Sequence, residues 1–227
     1  MSERPIISSK ALQRWLCSRG QIVAVDGTAG AETRAAIDAA FTNLQAKAIK
    51  PSDIDKLAKR LGCTPKQLRA MATVESGRSG FDDEGRPKIL FERHLFDRLT
   101  GGKHSVCSWS NPKGGGYSES SWDKLKQAAS ADAAAAFMAT SWGKFQVLGL
   151  HYEALSYSTP LELAYTTVIS EAGHYEMLAR YIEQNNLSDP LARLSTNPDD
   201  NRALAKGYNG PAYERFEYHL KLARAMA

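Results

Sequence analysis

No apolar run in this sequence exceeds seven residues, so nothing in it is long enough to cross a membrane. The start, Met-Ser-Glu-Arg-Pro, leads into no apolar stretch with a small-residue cleavage site. No signal peptide is read there, and synthesis in the cytoplasm is expected. Cysteine is scarce: Cys17, Cys63 and Cys107 are odd in number and lie far apart. That argues against a disulfide framework, and neither CxxC nor HExxH spacing accompanies the five histidines. No metal and no cofactor are expected. The GxSxG, P-loop and GxGxxG spacings are absent too, so serine hydrolase, nucleotide and dinucleotide chemistry have no support.

A large excess of one charge is also missing. The net charge is +4, of which residues 1 to 50 supply +3, with seven Lys/Arg against four Asp/Glu. This is too small to argue for nucleic acid, although it suits a segment that settles on an anionic surface. The hydrophobic share of 43% and the charged share of 24% describe a globular chain rather than a disordered one. Its 227 residues suffice for one sizeable domain, or for a domain with a small module.

Leu12, Trp15 and Leu16 recur at helical spacing, and Gly20 stops that helix. Asp26-Gly27 makes a turn, and Ala31 to Phe41 form a second helix with Ala36, Ile37 and Phe41 on one face. Two helices and a loop make too little core to be comfortable alone. Residues 43 to 52 read as a polar connection. Ser52 then reads as an N-cap for a short helix closed by Gly62, and Thr64 caps the next with Gln67 at capping-box spacing.

That helix carries Leu68, Met71, Ala72 and Glu75 on one stripe before Ser76-Gly77 ends it. Glu75 therefore sits in the last turn, where the helix dipole and apolar neighbours both disfavour a charged carboxylate. General acids of glycoside hydrolysis are made in this way, yet position alone equally allows a glutamate reaching solvent. Glu92 follows the apolar run Pro-Lys-Ile-Leu-Phe and adjoins Arg93 and His94. It reads either as a functional carboxylate or as half of a buried pair with Arg93.

Residues 100 to 122 form a long Gly/Ser/Asn-rich loop, of the kind that is usually functional. Trp109, Tyr117 and Trp122 in it have faces that stack on sugar rings or pack the loop down. From Leu161 the pattern Ala164, Val168, Ala172, Tyr175, Ala179, Ile182 predicts one long buried helix. Tyr213, Phe216, Leu220 and Ala223 predict a last one. No strand alternation of any length is present, so the fold is expected to be mainly α.

Leu12-Gln13-Arg14-Trp15-Leu16, Val25-Asp26-Gly27-Thr28-Ala29-Gly30 and Thr33 resemble the peptidoglycan-binding module of cell-wall hydrolases. Thr28 stands where that module usually has an aromatic residue. The runs VESGRSGF, GRPKILFERHLF, GGGY, SWGKFQVLG and KGYNGPAYERFEYHLKL resemble, in order, the N-acetylmuramidase domain of phage endolysins. The resemblance implies a small helical peptidoglycan-binding module (residues 1–48) followed by a lysozyme-like helical catalytic domain (53–227). It implies cleavage of the β-1,4 bond between N-acetylmuramic acid and N-acetylglucosamine, with Glu75 and Glu92 as the catalytic carboxylates. Ser141, Gln146, Tyr208, Asn209 and Tyr117 are then substrate-binding residues, and Asp26, Gly27, Thr28 and Arg34 belong to the module's binding surface. Lys144 departs from the family's usual apolar residue.

The implied partner is bacterial peptidoglycan, met by a monomer after release from the host cytoplasm to the wall in the periplasm, with no nucleic acid and no membrane insertion. The module is expected to bind wall without cutting it, so that its removal spares cleavage of short soluble glycans. A lytic transglycosylase shares the SxG–Q and YNG elements and is the nearest rival. A wall-binding protein without activity is a second.

Overall fold

Ser8 opens the first helix by accepting the Ala11 amide on its hydroxyl at 3.2 Å, and α1 (Ser9–Ser18) follows. The computed structural model describes residues 5–76 and 79–227. In it α2 (Ala31–Phe41) buries Ala36, Ile37 and Phe41, and α1 buries Leu12 and Leu16. The next helix, α3 (Pro51–Leu61), starts one residue before the expected cap. Lys50 is the N-cap, Pro51 takes the first helical position, and the Asp53 carboxylate accepts the Lys50 amide. Ser52 lies inside the helix.

In α4 (Pro65–Ser76) the expected capping box forms: the Thr64 hydroxyl accepts the Gln67 amide at 3.2 Å, and Gln67 Oε1 accepts the Thr64 amide at 2.8 Å. The stop expected at Gly77 lies outside the described residues. The remaining helices are α5 (Arg93–Leu99), α6 (Ser121–Ala131), α7 (Ala133–Met138), α8 (Pro160–Ile169), α9 (Glu171–Gln184), α10 (Ser188–Ala192), α11 (Arg202–Asn209) and α12 (Tyr218–Met226). One small antiparallel sheet accompanies them, β1 (Ile89–Phe91), β2 (Thr140–Trp142) and β3 (Val147–Leu148), in that order. Its strands of two or three residues are too short to show alternation in the sequence. The fold is mainly α, and among the described residues no helix is long and apolar enough to cross a membrane.

Other expectations change too. The helix read through Leu161 to Ile182 is two helices, broken at Ser170, whose backbone is extended. Gly173 lets them pack closely, since a Cβ there would run into the Thr166 carbonyl. The last helix likewise begins only at Tyr218: Glu217, at φ +54°, turns the chain, and Phe216 is left half exposed. Trp122 is not a sugar platform. It is buried in α6 against Trp142, while Trp109 packs edge-on against Phe96 at 5.4 Å.

The first two helices share the core of the rest. Phe41 is 0% exposed, with its ring centroid 5.6 Å from Trp122, 5.6 Å from Phe137 and 5.4 Å from Trp142. Trp15 donates its indole N–H to Glu162 at 2.9 Å, and Arg19 pairs with the same carboxylate at 2.6 Å. Residues 43 to 49 are tied down as well. The Asn43 amide nitrogen donates to the carbonyls of Val168 (2.9 Å) and Ile169 (3.2 Å). The Glu171 amide donates to the Lys47 carbonyl, and the Ile49 amide to the Glu171 carboxylate. The supposed polar connection thus holds the α8–α9 break in place.

Candidate active site

Glu75 ends α4 half-buried, where Leu68, Met71 and Ala72 turn the same stripe into the core. Asn209, at the end of α11, donates its side-chain N–H to Glu75 Oε1 at 3.0 Å. Burial raises the carboxyl above its ordinary value, against the opposing pull of that hydrogen bond and of the Lys221 charge. Asn209 engages Oε1, and Oε2 has no hydrogen-bond partner among the described residues. The neighbouring Tyr208 has its hydroxyl end enclosed, and burial first, then the Glu75 charge, holds its phenol well above the usual range.

Glu92 is placed by the sheet. β1 pairs with β2 in the register Ile89↔Trp142, Leu90↔Ser141, Phe91↔Thr140, and the Glu92 amide extends the ladder to the Ala139 carbonyl at 2.8 Å. Its own carbonyl then accepts the first amides of α5, from Leu95 and Phe96. The side chain accepts the Tyr117 hydroxyl on Oε2 at 2.9 Å, with His94 Nδ1 3.2 Å from the same oxygen. That hydrogen bond to Glu92 is the main cause that raises the Tyr117 phenol. The Glu92–Arg93 pair does not form. Arg93 turns instead to the Gly114 carbonyl at 3.2 Å, against the Gly114–Gly116 loop that presents Tyr117.

The β2–β3 hairpin lies between the two groups. Ser141 sits at its centre, opposite Leu90 and Leu148, partly exposed. Gln146, exposed and at φ +51°, donates its side-chain amide to the Gly143 (2.8 Å) and Lys88 (3.3 Å) carbonyls, so it braces the turn. The Tyr208 hydroxyl reaches the Phe145 carbonyl at 3.4 Å. Glu75, Asn209, Tyr208 and the hairpin turn therefore form one chain of contacts, and Glu92 with Tyr117 a second, joined through β1 and β2. Beside Gln146 and Tyr208 a cavity of 130 Å³ is also lined by His151 and Tyr181.

His174 supports this turn from behind. Fully buried, it accepts the Lys144 amide on Nδ1 at 2.7 Å, and its Nε2 lies 2.8 Å from the Thr167 carbonyl. An acceptor on one side and a carbonyl on the other fix a neutral ring with the proton on Nε2. Burial accordingly lowers its pKa to about 4. Gly143, at φ +69°, has no room for a Cβ against this ring. Lys144 Nζ meets Glu171 at 2.8 Å, which accounts for a cation at a position where an apolar residue was expected. His174, Lys221, Tyr181 and His151 adjoin the candidate site without a local motif; only the folded chain brings them here.

In the first part, Gln13 is the organiser. Buried to 1% exposure, it donates to Asp26 Oδ1 (2.8 Å), lies 3.2 Å from the Thr28 carbonyl and Thr33 hydroxyl, and accepts the Gly27 amide at 2.9 Å. The Thr28 amide and then Gln13 hold the Asp26 carboxyl below the usual carboxylate range. The inward groups of Asp26, Gly27 and Thr28 are thus committed to the loop. Arg34 stands apart from them on α2, facing α6.

The family profile of the N-acetylmuramidases matches residues 64–227, well over half of the chain, and the chain belongs to that family. A predicted peptidoglycan domain matches residues 7–72, so a binding module precedes a glycoside hydrolase domain that acts on peptidoglycan. Among solved structures the chain is similar to the crystal structure of the Burkholderia AP3 phage endolysin, with a TM-score of 0.71 and 28% identity. That likeness covers 96% of this chain and 92% of the other. No curated protein matches the chain with significance.

Proposed function

We propose that this chain is a phage endolysin that hydrolyses the β-1,4 bond between N-acetylmuramic acid and N-acetylglucosamine, lysing the host for phage release. It is made in the host cytoplasm and acts as a monomer on the wall in the periplasm. The observation that carries the reading is Glu75, a half-buried carboxyl raised by burial, with one oxygen fixed by Asn209 and the other without a hydrogen-bond partner among the described residues. As general acid it protonates the glycosidic oxygen while oxocarbenium-like charge grows at the sugar carbon. Glu92, its Oε2 held by Tyr117, offers Oε1 to stabilise that charge or to activate water. Ser141, Gln146, Tyr208 and Asn209 orient the sugar and the carboxylates, and the outward surface of the Asp26–Thr28 loop with Arg34 settles on the wall.

Mass spectrometry of digested sacculi tests this. Reducing N-acetylmuramic acid ends are expected. Anhydro-muramic ends would replace the hydrolase by a transglycosylase, and no soluble fragments at all would leave a wall-binding protein.

A further inference from the structure

A cleft of 280 Å³ lies between α2 of the first part and α6 of the catalytic part, lined by Arg34, Ala35, Asp38, Asp123, Lys126 and Gln127. Its charges are arranged unevenly. Arg34 stands one turn before Asp38 on α2, the spacing at which an arginine and an aspartate ordinarily pair. Asp38 is drawn the other way, onto Lys126 Nζ by one oxygen and to 3.5 Å from Arg86 by the other. Asp123 faces Lys126 too, at 3.2 Å. Both acids of the cleft are therefore committed to cations of the catalytic part. The Arg34 guanidinium, only partly exposed, has no ion pair or hydrogen bond among the described residues, and the Gln127 amide has none either.

A planar guanidinium with an unused fork is built for a carboxylate, which it binds through two parallel hydrogen bonds. The volume falls just short of the about 300 to 1,000 Å³ of small-ligand sites, room for one or two amino-acid residues rather than a glycan strand. We propose that this cleft binds a carboxylate of an acidic peptide: in the wall, the stem peptide borne by the glycan. The proposal rests on the wall-hydrolase reading and deepens it, because the ligand here is peptide and not sugar. Its position is consequential. α6 fixes the strand before Glu92 through the Phe91 amide on the Ser121 hydroxyl, and holds the Tyr117 loop through Lys124 on the Gly116 carbonyl. A peptide in the cleft thus touches the helix that braces Glu92.

Calorimetry on the full chain with the dipeptide Ala-Glu, and with its fully amidated form, tests the site. The free acid should bind, and both amidation and Arg34→Gln should weaken it about tenfold, the size of a charge-assisted hydrogen-bond pair. No binding, or binding that neither change weakens, overturns the proposal. A second measurement compares intact sacculi with sacculi stripped of stem peptides. The parent should need less of the peptide-bearing wall for half-maximal rate, and Arg34→Gln should erase that preference. A parent without the preference, or a variant that keeps it, overturns the proposal. Release of no glycan ends from either wall would defeat the hydrolase reading instead, and the dipeptide binding would still decide the cleft.

Discussion

Asn209 donates a side-chain hydrogen bond to Glu75 at 3.0 Å across 134 residues of sequence, which joins the end of α11 to the end of α4. The contact gives one carboxyl oxygen a donor and leaves the other without one among the described residues. It also opposes the burial that raises the carboxyl.

Glu75→Gln should therefore lower glycan cleavage by about 100- to 10,000-fold, the range that general acid catalysis supplies. Stability should stay level or rise near neutral pH. The sign follows from the raised folded pKa: the favourable contribution is complete below the unfolded value of 4.5 and is lost as pH rises through the folded value. An amide has no such loss. Kinetics on a soluble glycan with thermal unfolding checks both halves, and an unstable variant that still cuts walls would make Glu75 architectural.

Asn209→Ala should move the alkaline limb of the rate profile upward, because the removed hydrogen bond was lowering the Glu75 pKa. The rate at the optimum should fall as well, since Oε2 is no longer oriented. A limb that stays in place would dissociate it from Glu75.

Tyr117→Phe and Glu92→Gln form a graded pair. Tyr117 is 53% exposed and its hydroxyl serves Glu92, so its loss should leave stability within about 0.5 kcal/mol. Turnover on a soluble glycan should drop about tenfold for Tyr117→Phe, the scale of one hydrogen bond to a charged group. It should drop further for Glu92→Gln, which removes the carboxylate at nearly constant shape. Equal, small effects would show Glu92 to be a structural partner of the 114–117 loop.

The pieces legible in the sequence are those with local causes. Thr64 and Gln67 announce the start of α4, and four residues of its stripe put Glu75 in the last turn. The Tyr-Asn-Gly run marks Asn209 through its family resemblance. What was illegible depends on distant partners. The periodicity from Leu161 to Ile182 runs unbroken through Ser170, and the break exists because Asn43 and Lys47 hold the carbonyls and amide exposed there. Likewise Trp122 lies in a polar stretch, and only Phe41 and Trp142 make it core.

His174 predicts an acid limit to stability. Its folded pKa of about 4 lies below the ordinary 6.5, so between those values the unfolded chain binds a proton that the folded ring refuses. Stability should fall as pH drops from 6.5 to about 4, by about 3 kcal/mol in all from this residue. His174→Gln should be less stable at pH 7, having left the Lys144 amide without its acceptor, yet show a flatter acid dependence in urea titrations. Parallel curves for the two proteins would assign the acid limit elsewhere.

The first part of the chain should not be separable from the rest. Its sequence reads as a module that binds and can be spared, but Phe41 is 0% exposed among Trp122, Phe137 and Trp142. Phe41→Ala should cost about 3 to 5 kcal/mol, the usual range for a fully buried phenylalanine. Trp142 belongs to β2, beside Ser141 and opposite β1, so the opened cavity borders the strands that carry the site. Removal of residues 1–48 goes further, taking also Trp15, Arg19 and Asp38 from Glu162, Lys126 and Arg86. The truncated chain should therefore unfold more readily and lose cleavage of short soluble glycans along with wall binding. Phe41→Leu, which refills most of the space, should recover much of both. A truncated chain that is as stable as the parent and cuts soluble glycan at the parent's rate would restore the separable module.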